Sequence, residues 1–302
     1  MSDPRTVLKR TVALALGMPV LYSLIEPHRV LVRRFDVAMR NLPESVHGLR
    51  IVQISDLHIS AITTPSFLRR VVNLANAQKT DLVVLTGDFV SRRNSYSHFT
   101  FARMWARPVM EYAQQMADEL TRLQAPEGVF GVPGNHDHSK GRVEAIQQLL
   151  HGAGVQMLVN EGTSIRDVLP LIGVDDLRAG RPDVKKAAAG VSEDEAQVVL
   201  SHNPRMAPLF KRRNALILAG HTHAGQVHLP LTNFRRRPRD MRGGSYFQGW
   251  YEEGRAKMYV SSGVGSVHFP MRFRCPPEIT VFNLRYDDGE PEHVHHAGCG
   301  CE

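Results

Sequence analysis

Five short apolar runs in this chain stop abruptly at residues of metal-binding type, and that repeated junction limits what the chain can fold into. The runs at 50–55, 81–86, 128–132, 197–201 and 215–220 close on Asp56-Leu57-His58, Gly87-Asp88, Gly134-Asn135-His136-Asp137, His202-Asn203 and Gly220-His221-Thr222-His223. Short runs of aliphatic and β-branched residues bounded by polar clusters read as buried strands. A sheet then delivers whatever stands at its strand ends to one edge. Helical spacing separates several of the runs. Phe67, Val71, Leu74 and Ala75 mark a helix over 65–79 with Pro65 in its first turn, and further helices are expected over 110–123 and 142–151. Runs at 30–37, 155–160, 169–174, 258–262 and 279–284 complete the strand set. The expected class is α/β, a sandwich of sheets and helices without internal repeats.

Composition sets the outer bounds. A chain of 302 residues with 42% hydrophobic and 22% charged residues can build a sizeable core. One domain is expected over 29–286, between an apolar segment at 1–28 and a loosely held tail at 287–302. The formal charge of +7 favours an anionic partner: a phosphorylated substrate, a nucleic acid or an acidic membrane surface. Three cysteines, Cys275, Cys299 and Cys301, make no disulfide framework. At the amino terminus Arg5, Lys9 and Arg10 precede a nearly uncharged run over 11–25, closed by Glu26 and Pro27. As a helix this run reaches about 22 Å, short of a hydrocarbon core of about 30 Å. The small-x-small steps at 13–17 fall inside the run, where signal-peptidase cleavage fits poorly. An uncleaved anchor or interfacial helix is expected, associating the protein with the cell membrane on a side that the flanking arginines do not specify. The alternative is a helix packed on the domain.

The chemistry rests on the strand ends. Two residues apart on an extended chain point the same way, so Asp56 and His58 can grip one cation together, and His221 and His223 stand in the same relation. Glycine before Asp88, Asn135 and His221 suits a sharp turn and close backbone approach. Mixed carboxylate, imidazole and amide donors suit divalent Mn, Zn or Fe, and do not suit copper(I) or an iron-sulfur cluster. Two such ions about 3.5–4 Å apart can hold phosphate oxygens and acidify a water for in-line attack. His136 is the candidate acid for the leaving group, with Asp137 able to fix its tautomer.

The order D-x-H, G-D, G-N-H-D, H, G-H-x-H over residues 50–285 resembles the calcineurin-like metallophosphoesterases. The resemblance implies a four-layer α-β-β-α sandwich with two central mixed sheets. It implies that Asp56, His58, Asp88 and His223 hold one metal ion and that Asp88, Asn135, His202 and His221 hold the other. His136 takes the catalytic histidine position. Residues 49–58, 220–226 and 272–279 are similar to bacterial membrane-associated members, some of which hydrolyse the pyrophosphate of UDP-2,3-diacylglucosamine in lipid A synthesis. Phosphoprotein phosphatases carry G-D-x-V-D-R-G where this chain has Gly-Asp-Phe-Val-Ser-Arg-Arg at 87–93. Ser91 and Arg93 depart from that pattern. Arg92 stands at the position of the phosphate-contacting arginine and is the expected substrate-binding residue.

The expected activity is therefore hydrolysis of a phosphoester or pyrophosphate bond, on a phosphorylated small molecule or a lipid-linked substrate. A nucleic-acid-binding metalloprotein or nuclease is the alternative of another class. No recognised reading module accompanies the basic runs, and their arginines lack the interleaved aromatics of a single-strand platform. Two arginine-rich stretches, 92–107 and 235–242, follow the Asp88 and His223 motifs and either border the site or form a core-facing helix and a solvated loop. His228 and His268 read as structural, His138 as a solvated loop residue with an outer-shell group as the alternative, Cys275 as a packing residue. The tail histidines and cysteines have no scaffold to preorganise them.

Overall fold

The computed structural model describes residues 17–91, 107–229 and 246–287, and among them twelve strands form two six-stranded mixed sheets. The first sheet runs β1 (Leu31–Met39), β12 (Glu278–Tyr286), β2 (Arg50–Ile54), β3 (Leu82–Leu85), β4 (Val129–Gly131), β5 (Val155–Met157). The second runs β10 (Gly249–Glu253), β11 (Ala256–Val260), β9 (Ala215–Ala219), β8 (Gln197–Leu200), β7 (Leu169–Gly173), β6 (Glu161–Ile165). Strands β2 to β5 are mutually parallel, as are β7, β8, β9 and β11. Pairing of β1 with β12 from Leu31↔Glu278 to Met39↔Tyr286 joins the two ends of this region.

Side-chain alternation along each strand sorts the layers. Val52, Ile54, Val83 and Leu85 pack outward against Leu68 and Val71 of α2 (Pro65–Asn76), Met116 of α3 (Val109–Leu120) and Leu150 of α4 (Val143–Gly152). Ile51, Leu82 and Val84 turn inward to meet Leu171, Val198, Leu200, Leu216 and Leu218 of the second sheet. Ile172, Val199, Ile217 and Met258 face away again, onto Ala187 of α5 (Val184–Ala187) and Met206 and Phe210 of the 3-10 segment Pro204–Phe210. The result is the four-layer α-β-β-α sandwich, with a thinner helical layer over the second sheet. Strands covered on both faces need near-continuous apolar runs, which is why these were legible. Gln53 is one of the buried polar exceptions, with Gln197, Glu278 and Thr280. The Gln53 amide donates to Thr86 Oγ1 at 3.0 Å and Ala219 O at 2.9 Å, fastening the two sheets just beneath the strand-end loops.

Two strands were not anticipated, β6 and β10, and they are the two edges of the second sheet. Glu161–Ile165 and Gly249–Glu253 carry little apolar alternation, because an edge with an open flank tolerates polar residues and is protected by them. At α2, Pro65 sits in the first turn and Thr64 Oγ1 accepts from Phe67 N at 3.3 Å, a cap of about 1 kcal/mol.

Residues 17–25 form a helix, α1, in which Ser23 is the buried residue. The Ser23 carbonyl accepts from Arg272 N at 2.9 Å and Tyr22 packs edge-on to Phe273. The helix is thus seated on the domain at its last turn while its apolar side chains face outward. No helix among the described residues is long and apolar enough to cross a membrane. Arg92, most of the stretch 92–107, the basic run 235–242 and the tail from 288 lie outside the described residues.

Candidate metal centre

The strand-end loops leave their sheets in an unusual backbone conformation. Asp56, His58, Asp88, His221 and His223 all have positive φ, between 46° and 74°. Such φ is costly for non-glycine residues and persists where surroundings over-determine it. The surroundings here are specific. Asp56 N donates to Gly87 O, His58 N to Asp88 O, and His221 N to Asp56 Oδ2, at 2.9 to 3.0 Å. All three expected glycines are close approaches: a Cβ on Gly87 would lie 2.7 Å from Gly134 N, one on Gly134 2.3 Å from Asp88 N, and one on Gly220 2.0 Å from Ser55 Oγ.

These turns gather side chains from both sheets into groups of donor atoms that each lie within 4.8 Å: Asp56, His58 and His223 in the first, Asp88, His202 and His221 in the second, and His58, Asp88 and His136 in a third that overlaps both. In the first, His58 Nε2 lies 3.0 Å from His223 Nε2, and His223 Nε2 lies 3.4 Å from Asp56 Oδ1. In the second, His202 Nε2 lies 3.2 Å from His221 Nδ1. A single atom, Asp88 Oδ2, stands 3.3 Å from His58 Nε2 and 3.3 Å from His202 Nε2, and so belongs to both. All six side chains are buried.

Lone pairs that converge this way call for a positive centre. His202 Nδ1 sits 2.8 Å from the Thr86 carbonyl, an acceptor only, so that nitrogen carries the proton and Nε2 is left facing the Asp88 carboxylate. Nε2 must then take a second proton or meet a cation. Burial opposes charge on His202, yet the Asp88 carboxylate beside it raises its pKa well above the usual value. Burial likewise opposes ionisation of Asp88, and His202, His136 and His58 together hold it well below the carboxylate range. Burial, then the charges of His58 and Arg272, keep His223 neutral. Carboxylate and imidazole groups crowded at 3.0–3.4 Å fit two divalent cations, with Asp88 between them.

The loop after β4 supplies the remaining expected residues. His136 N donates to Asp88 Oδ1 at 2.7 Å, and its ring stands edge-on to His58 with centroids 4.7 Å apart. Among the site histidines it alone is half-buried, at the mouth of the site. Asn135 is buried between Gly134 and His136, both of which abut Asp88. Asp137 does not bond to the His136 ring. Its Oδ1 accepts from Phe89 N and Val90 N and its Oδ2 from Gly134 N, so it locks the β3 and β4 loops together instead of fixing a tautomer. Burial and then the Asp88 charge push its carboxyl up to about 7.

Two further expectations need correction. The shared spacing does not make His221 and His223 one pair: they enter different groups, as the resemblance implied. His138 is not solvated: its Nε2 lies 2.7 Å from Asp175 Oδ1, which raises the histidine and, against the effect of burial, lowers the acid. The reading of Cys275 as a packing residue matches its burial beside Ala224 and Phe247. Several supporting residues carried no sequence signal of their own. Ser91 Oγ lies 3.3 Å from His58 Nδ1, Thr86 presents its carbonyl to His202, and fully buried Arg272 holds the 262–265 loop that packs on Asp56. Backbone acceptors and loop clamps become visible only once the sheets are stacked.

Comparison with known proteins agrees with this geometry. Residues 49–225 match the model of the family described as calcineurin-like phosphoesterase. An uncharacterized metallophosphoesterase of Bacillus subtilis, YkuE, is 31% identical over 268 residues, covering 86% of this chain and 87% of that protein. A zebrafish transmembrane protein with a metallophosphoesterase domain is 30% identical over 300 residues, 93% of this chain and 63% of that one. The UDP-2,3-diacylglucosamine pyrophosphatase LpxG of Chlamydia muridarum is 25% identical over 317 residues, 87% of this chain and 92% of its own length. The matched span, residues 49–225, covers more than half of the chain and contains every residue of the two donor groups: the chain belongs to the calcineurin-like phosphoesterase family.

Proposed function

We propose that the chain is a dinuclear metal-dependent phosphohydrolase that cleaves a phosphoester or pyrophosphate bond of a small or lipid-linked substrate at a membrane surface. The observation that carries this reading is the position of Asp88 Oδ2, 3.3 Å from an imidazole nitrogen of each donor group. Residues 29–286 are the catalytic unit. Asp56, His58, Asp88 and His223 would hold one cation, and Asp88, Asn135, His202 and His221 the other. When bound, two divalent cations of the Mn, Zn or Fe type supply Lewis acidity at the phosphoryl group and acidify an attacking water. His136, half-buried at the mouth and tethered to Asp88 through its amide, is placed to hand a proton to the leaving oxygen. Asp137 keeps that loop in register. Arg92 follows Ser91, which touches His58, and is the proposed substrate-phosphate contact.

Purified protein should contain two equivalents of transition metal by elemental analysis and hydrolyse a chromogenic phosphodiester or monoester in a chelator-sensitive way. Asp88→Ala should remove both properties. Turnover that survives Asp88→Ala in metal-purified protein sinks the assignment. The likeness to LpxG favours the pyrophosphate of a UDP-linked acylated glucosamine as a second reading. Parallel assays with UDP-linked lipids, soluble diesters and nucleic acid separate that substrate from a general phosphoesterase and from a nuclease. Support for membrane association comes from the outward-facing apolar residues of α1 and from the name of the zebrafish relative.

A further inference from the structure

The burial pattern of α1 is inverted. Met18, Val20, Leu21 and Ile25 are each more than half exposed, whereas Ser23 and Glu26 are 5% and 2% exposed. A helix that turns its apolar side chains outward needs another apolar phase to cover them. Its foot is basic. His28 and Arg29 are exposed, Arg70 Nη2 donates to the His28 carbonyl at 2.8 Å, and half-buried Arg274 follows Phe273, on which Tyr22 packs. Glu26 is the sole acid between residues 17 and 35, and it is buried. Apolar side chains above a basic foot that includes Arg29, Arg70 and Arg274 match an anionic lipid surface, with acyl chains against the helix and headgroups against its foot.

The seat of this helix leads to the metal centre by two routes. Arg272, whose amide bonds to Ser23 O, is completely buried and donates to the carbonyls of Ser262, Gly263, Gly265 and Cys275. The loop it holds donates in turn from Val264 N to Ser55 O and from Gly265 N to Asp56 O, at 2.9 and 2.8 Å. On the second route Phe273 N donates to Gln226 O at 2.9 Å, and Gln226 N donates to His223 O at 2.8 Å. The Gln226 side chain fastens the same platform, donating to Phe269 O and Met271 O and accepting from Val267 N. Both routes end on the donor group of Asp56, His58 and His223. Neither reaches the His202 and His221 group directly.

We propose that α1 docks on an anionic bilayer and that Arg272 and Gln226 transmit this docking to Asp56 and His223, so that the membrane tunes one half of the metal centre. The inference takes the identity of that centre from the function proposed above. Its test does not depend on turnover. The full chain is mixed with phosphatidylcholine vesicles, with and without phosphatidylglycerol, and followed by cosedimentation and by hydrogen–deuterium exchange. Anionic vesicles should sediment the protein and slow exchange in residues 221–228 and 262–273 by about fivefold, the lower end of coupling between sites. A Leu21→Ser/Ile25→Ser variant, altered at exposed positions, should lose both effects. Tyr22→Ala should still sediment but lose protection around Phe273 and Gln226. Equal or absent sedimentation on the two vesicle types overturns the docking, and sedimentation with unchanged exchange overturns the coupling. A protein that binds and protects as expected yet hydrolyses nothing would refute the functional reading alone.

Discussion

Asp56-Leu57-His58 and His221-Thr222-His223 share one spacing, yet the members of the first pair stand together in one donor group and those of the second stand in different ones. The middle residue explains the difference. Leu57 is buried in the layer between the first sheet and its helices, which turns its two neighbours to the opposite side together. Thr222 instead donates from Oγ1 to the Phe247 carbonyl and accepts from Ala224 N, and the chain winds at once into the 3-10 turn His223–Gly225. All four paired residues have positive φ, so neither pair lies on extended backbone and the period-two alternation of a strand governs neither. Past the strand end, local turns decide where a side chain goes.

The largest effect should come from the residue that joins the groups. Asp88→Ala is expected to lower turnover by on the order of 10³-fold, the scale reached when a preorganised charge is removed, and to deplete both metal equivalents. Retention of one full equivalent by elemental analysis would break the picture of a shared ligand. Next come the divided histidines. His221→Ala and His223→Ala should each cost at least the roughly 10²-fold that even supporting groups around a metal contribute. Double-mutant cycles should then show coupling of His223 with His58 and of His221 with His202, stronger than across the groups. Equal coupling in all four combinations would merge the two groups into one.

Asp137→Ala tests the loop beneath them. Three backbone amides lose their acceptor, so urea unfolding should show a loss of about 2–3 kcal/mol. A drop in turnover without that loss would return Asp137 to a direct chemical role. The smallest expected effect lies at the rim, in the His138–Asp175 pair, worth about 1 kcal/mol. His138 is raised, so its contribution is complete below the ordinary histidine value of about 6.5 and fades as pH climbs through its native value. Asp175 is lowered, so its contribution is present above about 3.9 and fades as pH falls through its native value. His138→Ala should therefore destabilise more at pH 5 than at pH 8, measured by urea unfolding. A pH-independent difference would mean that packing, not charge, holds the pair.

Much of the architecture was legible because buried strands advertise themselves. Runs such as Leu82–Leu85 and Ala215–Ala219 are apolar throughout, and the helices at Pro65–Asn76 and Val143–Gly152 carry their buried stripe openly. The edges β6 and β10 were hidden because solvent, not a core, faces much of them. His138 misled for a related reason. Its partner Asp175 is 37 residues away in the loop after β7, and nothing near His138 in the chain announces it.

Which donor atoms the protein owns, and at which strand ends they stand, follows from the order of residues, because hydrophobic runs and the residues that end them are local properties. Spacing along the chain does not show how those donors divide; the family resemblance implies the division, and the stacking of the sheets produces it. His58 and His223 belong to different sheets and are 165 residues apart, yet their Nε2 atoms lie 3.0 Å from each other. That distance is set by the stacking of two sheets and the inter-sheet bonds of Gln53, where long-range packing overrides any rule of spacing. The same stacking places the seat of α1 against His223 and Asp56, a neighbourhood that spacing along the chain does not encode.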